Sequence, residues 1–191
     1  MSKKTNCISK ILVLDVETNG IGAFRPVPTQ DIVQIGMILG EQESCFFVQG
    51  VKSVNPSVPH DITPEICAAE GLSREEACSR VLKCIYACDV IVGHNIEFDL
   101  GCLYHTFSER RADLKSAVSC KEIVCTMHST TSLCKIPFPN AKPWSKRYKW
   151  PKLEELYVFL FGSTPDAKLH DALEDCRVTK KCYDYLEEGL A

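Results

Sequence analysis

The sequence has no apolar run long enough to cross a bilayer or form a signal-peptide core. The run near its start, Ile11 to Leu14, has four residues, against roughly 20 for a membrane helix. Ser2 follows Met1 where myristoylation needs glycine, and Glu188-Gly189-Leu190-Ala191 is no prenylation box. Basic excess is missing too: 22 Lys and Arg face 25 Asp and Glu, for a net charge of −3. No global field therefore attracts a polyanion, which must be held by a local patch or by bound cations. Repeats and low-complexity stretches are absent, and with 45% apolar and 25% charged residues the composition excludes a fibre, a coiled coil or a disordered tail. None of the twelve cysteines is paired at C-x-x-C spacing, so neither a zinc ribbon nor a thioredoxin-like site is expected. They read as free thiols, several acting as small hydrophobes in helices. The expectation is an intracellular, cytoplasmic protein without a membrane partner. Its 191 residues suit a single domain, 1–191, with a proper core.

Ile8 to Val16 is an apolar run broken only by Ser9, Lys10 and Asp15, the pattern of a central strand buried on both faces. Residues 32–39 and 45–48, separated by Gly40 to Glu43, read as antiparallel strands. Residues 51–72, with Pro56, Pro59 and Pro64, read as a long irregular connection. Ser73-Arg74-Glu75-Glu76 has the form of a capping box, continued at helical spacing to Cys88. A short strand at 90–92 ends at Gly93, and a helix carrying Phe98, Cys102 and Thr106 follows. Pro151 opens a further helix that Gly162 closes, and the last helix spans 172–186. Strands that come first as a hairpin set and then alternate with helices imply an α/β fold with a mixed sheet.

Asp15 and Glu17 lie at i and i+2 on the exit of the first strand, so their side chains share a face. Adjacent anions beside apolar neighbours repel and resist burial unless a cation neutralises them. Taken alone, the pair also fits an acidic strand end turning into solvent at Thr18-Asn19-Gly20. In Gly93-His94-Asn95-Ile96-Glu97-Phe98-Asp99, Asn95 is a good N-cap, which puts Asp99 on the inward helical stripe with Cys102, Leu103 and Thr106. Asp175 takes the same fourth position behind Asp171, in line with Val178 and Cys182, while Asp171 and Glu174 form a D-x-x-E capping pair. Five residues turn a helix by about 500°, so His170 cannot share a face with Asp175 and belongs on the preceding loop.

Leu14-Asp15-Val16-Glu17-Thr18, Gly93-His94-Asn95-x-x-Phe98-Asp99 and His170-x-Ala172-x-x-Asp175 resemble the three motifs of the DEDDh (DnaQ-like) exonuclease superfamily, in the same order. The stretch from Cys125-Thr126-Met127 through Tyr148 to Leu153 and Leu160-Phe161-Gly162 is similar to its proofreading-type subgroup. Two departures are Cys125-Thr126 where Asp-Thr is frequent, and Asp61-Ile62-Thr63 where Gly-Ile-Thr is. The resemblance implies a single RNase H-like exonuclease domain with a mixed five-stranded β-sheet flanked by α-helices. It further implies a 3′→5′ exonuclease releasing nucleoside 5′-monophosphates from single-stranded or frayed ends. DNA is favoured over RNA, and a polymerase or other replication protein is the implied partner. Asp15, Glu17, Asp99 and Asp175 would hold two Mg²⁺ or Mn²⁺ ions, and His170 would be the general base. Thr18, Asn19, His60, Ile62, Asn95 and Phe98 would surround the terminal nucleotide.

Between Asn140 and Lys152 five cations, Lys146 and Lys149 among them, interleave with Trp144, Tyr148 and Trp150 and no acidic residue. Cations for phosphates and aromatic faces for bases suit a single strand; the competing reading is a solvated loop with Trp150 folded onto the core. Cys120, Cys125, His128 and Cys134 lie close in sequence, but their spacing matches no standard zinc pattern. The rival from another class is a non-catalytic nucleic-acid-binding or scaffold domain, which has no physical reason to keep mutually repelling carboxylates.

Overall fold

The computed structural model of the chain describes residues 9–20, 29–140, 142 and 147–189. Three strands lead: β1 (Ile11–Thr18), β2 (Ile32–Leu39) and β3 (Gln42–Phe47). Helices α1 (Pro64–Glu70) and α2 (Arg74–Ala87) precede β4 (Val90–Gly93), α3 (Ile96–Thr106) and α4 (Arg111–Ser119). After β5 (Glu122–Cys125) come α5 (Thr126–Cys134), α6 (Leu153–Phe161) and α7 (Ala172–Glu188). The sheet order is β3-β2-β1-β4-β5. The hairpin strands pair antiparallel, and β1, β4 and β5 pair in parallel. No helix among the described residues is long and apolar enough to cross a membrane.

Alternation along β1 divides the core. Leu12, Leu14 and Val16 pack with buried residues of α2, α3 and α4, such as Val81, Leu103 and Leu114. Val13 faces the other way, onto Cys176 and Tyr183 of α7. Asp15 and Glu17 continue the face of Val13, so the strand delivers both carboxylates to the side that α7 covers.

Three expectations change. The connection 51–72 is not irregular throughout, because Thr63 caps α1 through its side chain and Pro64 sits in its first turn, where a missing N–H costs nothing. The hairpin turn is shorter than the charged run suggests: β3 starts at Gln42, and Gly40 alone takes a positive φ of 63° there. Asn95 does cap α3, but with φ 73° and no side-chain hydrogen bond. Its value lies in tolerating the left-handed turn between β4 and α3, a conformation most residues avoid.

Candidate active site

The site forms where β1 outruns its parallel neighbour. Pairing of β1 with β4 ends at Val13↔Val92, so the backbone beyond has no strand on that side. The N–H of Val16 donates instead to Asp99 Oδ1 at 3.0 Å. Asp99, 3% exposed, thus hangs from α3 over the open edge of β1. From the other side comes α7. Gly36 lies directly opposite Asp15, and a Cβ there would stand 2.2 Å from the carbonyl oxygen of Ala172. Only glycine lets the helix N-terminus this close to the sheet.

Gln34, buried on the same face of β2, fastens the contact. Its Nε2 donates to Asp171 Oδ2 at 2.9 Å, and its Oε1 accepts from the Ala172 N–H at 3.0 Å. Asp171 caps α7 by accepting from the N–H groups of Leu173 and Glu174. Glu174 does not complete the expected reciprocal box; it pairs with Arg177, which also holds Glu43 on β3. One turn into α7, Asp175 accepts the backbone N–H of His170 at 3.3–3.4 Å. The third motif therefore braces itself, with His170 at φ 73° on the loop before the cap.

The electrostatics follow from this convergence. Burial first, then Asp99, Asp175 and Glu17, push the carboxyl of Asp15 well above its ordinary value. Burial likewise raises Asp99 against the lowering bond from Val16. Glu17 is pushed from 4.5 to about 8 by burial and then by Asp175 and Asp171. Asp175 is raised to about 6, again chiefly by burial. Backbone N–H groups lower Asp99 and Asp175 without cancelling the effect of burial, and anions so placed call for a cation. The donors are hard carboxylate oxygens, a set that fits Mg²⁺ or Mn²⁺. His170 joins them: its ring, Glu17 and Asp175 offer ligand atoms all within 4.8 Å of one another, a gap that one water bridges. Burial and then His60 push its imidazole below the ordinary value.

Beside this cluster, His60 Nδ1 accepts from the Ile62 N–H at 3.2 Å, so its Nε2 donates to the Thr18 carbonyl at 2.8 Å. Thr18 and Asn19 are held in turn, the threonine hydroxyl by Gly20 O and the asparagine amide by Ser53 O and Asp31 N. Both ring nitrogens of His60 are used internally, which makes it a positioning residue for the loop after β1. Asn95 and Phe98 flank Asp99 at the start of α3, both partly exposed.

Only part of the basic segment lies among the described residues. Lys146 and Trp144 lie outside the described residues. Lys149 is committed within the protein: its Nζ bonds Glu155 Oε1 at 2.7 Å, and its N–H donates to Ile136 O. A lysine already neutralised by Glu155 brings little charge to a phosphate. Trp150 does not fold onto the core; it is 49% exposed and its ring lies 5.1 Å from that of His128. Sequence reasoning missed Gln34, Gly36 and the role of Asp171. The available signal was a glutamine and a glycine spaced by two in an otherwise apolar strand, Ile32 to Leu39.

The family model described as Exonuclease (RNase_T) matches residues 12–183. No curated protein sequence matches the chain. Among solved structures, E. coli Exonuclease I with a dT13 oligonucleotide superposes at TM-score 0.65 and 19% identity, over 94% of this chain and 41% of that one. Exonuclease I from Methylocaldum szegediense gives 0.67 and 22%, over 94% and 40%. The Saccharomyces cerevisiae Pan2 pseudoubiquitin hydrolase-RNA exonuclease module with AAUUAA RNA gives 0.60 and 16%, over 95% and 29%. The chain spans about two fifths of the Exonuclease I chains. At these identities the likeness to solved structures is one of fold.

Proposed function

The chain belongs to the exonuclease family, and from that premise we propose that it is a 3′→5′ exonuclease of the DEDDh type, dependent on divalent cations. The observation that carries this reading is the convergence of four carboxylates, with Asp99, Asp175 and Glu17 all raising the protonation of Asp15, and the His170 ring beside Glu17 and Asp175. Asp15, Glu17, Asp99 and Asp175 would hold two Mg²⁺ or Mn²⁺ ions, which supply positive charge to the scissile phosphate and acidify a water. His170 takes the proton of the attacking water at its ring nitrogen and, being only partly buried, passes it on to solvent. The water oxygen joins phosphorus, the bond from phosphorus to the 3′ oxygen breaks, that oxygen takes a proton from solvent to become the new 3′-hydroxyl of the strand, and a nucleoside 5′-monophosphate leaves. Thr18, Asn19, Ile62, Asn95 and Phe98 surround the terminal nucleotide, with His60 fixing the Thr18 carbonyl. Lys149 drops out of this set because Glu155 holds it.

The preferred substrate in this reading is a single-stranded or frayed DNA 3′ end. Solved relatives of the fold hold either a dT13 oligonucleotide or an AAUUAA RNA, so the preference for DNA rests on the sequence resemblance. No observation supports the polymerase partner that the sequence resemblance implies. The test is degradation of matched DNA and RNA oligonucleotides carrying a 3′ or a 5′ label, with Mg²⁺ and then with EDTA. Immediate release of the 3′ label, faster from DNA and abolished by EDTA, is expected. A protein that binds the strands but releases neither label is a scaffold.

A further inference from the structure

The zinc-like spacing in the sequence combined the wrong residues, and the fold supplies a different set. Cys120 and Cys134 stay out, while Glu97, Cys125 and His128 come together with one ligand atom each inside 4.8 Å. Three elements deliver them. Gly93 pairs with Cys125 across β4 and β5, which puts the thiol at the end of the sheet beside the start of α3. Cys125 is the N-cap of α5 yet makes no side-chain cap bond, so its sulfur is not engaged by that helix. His128 lies three residues on, on the same side of the helix, and Trp150 packs against its ring. Glu97, the second residue of α3, turns away from buried Asp99 into solvent and meets His128 Nδ1 at 3.5 Å. Two ligands at about 2.0–2.1 Å from a tetrahedral ion stand about 3.3–3.4 Å apart, so this edge is already near coordination length.

We propose that Glu97, Cys125 and His128 form a Zn²⁺ site distinct from the carboxylate cluster. Sulfur and imidazole donors select a borderline-soft ion, whereas the four-carboxylate site selects hard ones. Three protein ligands leave a fourth tetrahedral position to water, reachable because the Glu97 and His128 side chains are 60% and 41% exposed. Bound zinc clips the start of α3, two residues before Asp99, to α5 and, through the ring contact, to Trp150.

Titration of the full chain with Co²⁺ in excess Mg²⁺ tests this, because a thiolate-to-cobalt charge-transfer band arises only where cysteine is a ligand and the carboxylate cluster stays silent. One equivalent should produce the band, and Zn²⁺ should displace it. Cys125→Ser should abolish it, while Cys120→Ser and Cys134→Ser keep it. Glu97→Gln, at an exposed position that leaves folding intact by circular dichroism, should weaken Co²⁺ binding roughly 10–100-fold, the loss typical even of groups behind the ligands. No band at one equivalent, a band that survives Cys125→Ser, or unchanged affinity in Glu97→Gln overturns the proposal.

Discussion

His170 is held by its backbone, whose N–H groups with Asp175, while its ring is left to act. A general base contributes typically 10²–10⁴-fold, so His170→Ala should lose kcat on about that scale and keep its affinity for Mg²⁺. The acid limb of the wild-type pH–rate profile should lie below the ordinary imidazole range, because burial lowers the imidazole, and should flatten in the variant. Unchanged rate and unchanged limb would remove His170 from the mechanism. Lys149 stands in a basic sequence context but is paired with Glu155 in the fold. With Glu155 already bound to it, Lys149→Ala should cost about 1 kcal/mol or less, read as a small fall in Tm, and leave the salt dependence of KM as it was. A salt dependence that weakens in the variant would return Lys149 to the nucleic-acid surface. Its charge was plain in the sequence; its partner, six residues away on the next helix, was not.

At the scale of elements, the site depends on how closely α7 approaches β2. Gly36→Ala places a methyl group against the backbone of Ala172, where neither side can rotate away. Overpacking of this kind costs about 1–3 kcal/mol or more, and any retreat of the helix carries Asp175 from Asp15. A fall in both Tm and kcat is expected; a variant with wild-type values for both would show that the close approach is dispensable. Four of the five strands, the major helices and the inward faces of Asp99 and Asp175 were readable because periodicity is a local property; the short, half-exposed β5 was not read from the residues. So was the pairing of Asp15 and Glu17 on one face of β1. The helices α1, α4 and α5 were harder: α1 sits among prolines, and α4 buries only Leu114, Ala117 and Val118. Gln34 and Gly36 were invisible as parts of the site, since their meaning depends on Asp171 and Ala172, more than 130 positions on.

For the whole molecule, the carboxylate cluster ties stability to pH and to cations. Without cations, Glu17 is raised to about 8 and Asp175 to about 6, so the folded chain retains protons that the unfolded chain releases. The stability linked to these groups is fully present below the ordinary carboxylate values and is lost as pH rises through about 6 and then about 8. In EDTA the Tm should therefore fall between pH 5 and pH 8, and Mg²⁺ should recover most of the loss at pH 8 by binding the folded state. A Tm in EDTA that is flat or rising over this interval would contradict the electrostatic account. The most direct test of the central claim is the rate of 3′-nucleotide release by Asp15→Asn at saturating Mg²⁺. The substitution keeps the shape of the side chain and removes one anion from the cluster. The account predicts a folded protein, at least as stable as wild type in EDTA, whose release rate has dropped by orders of magnitude; a rate near that of the wild type would contradict it.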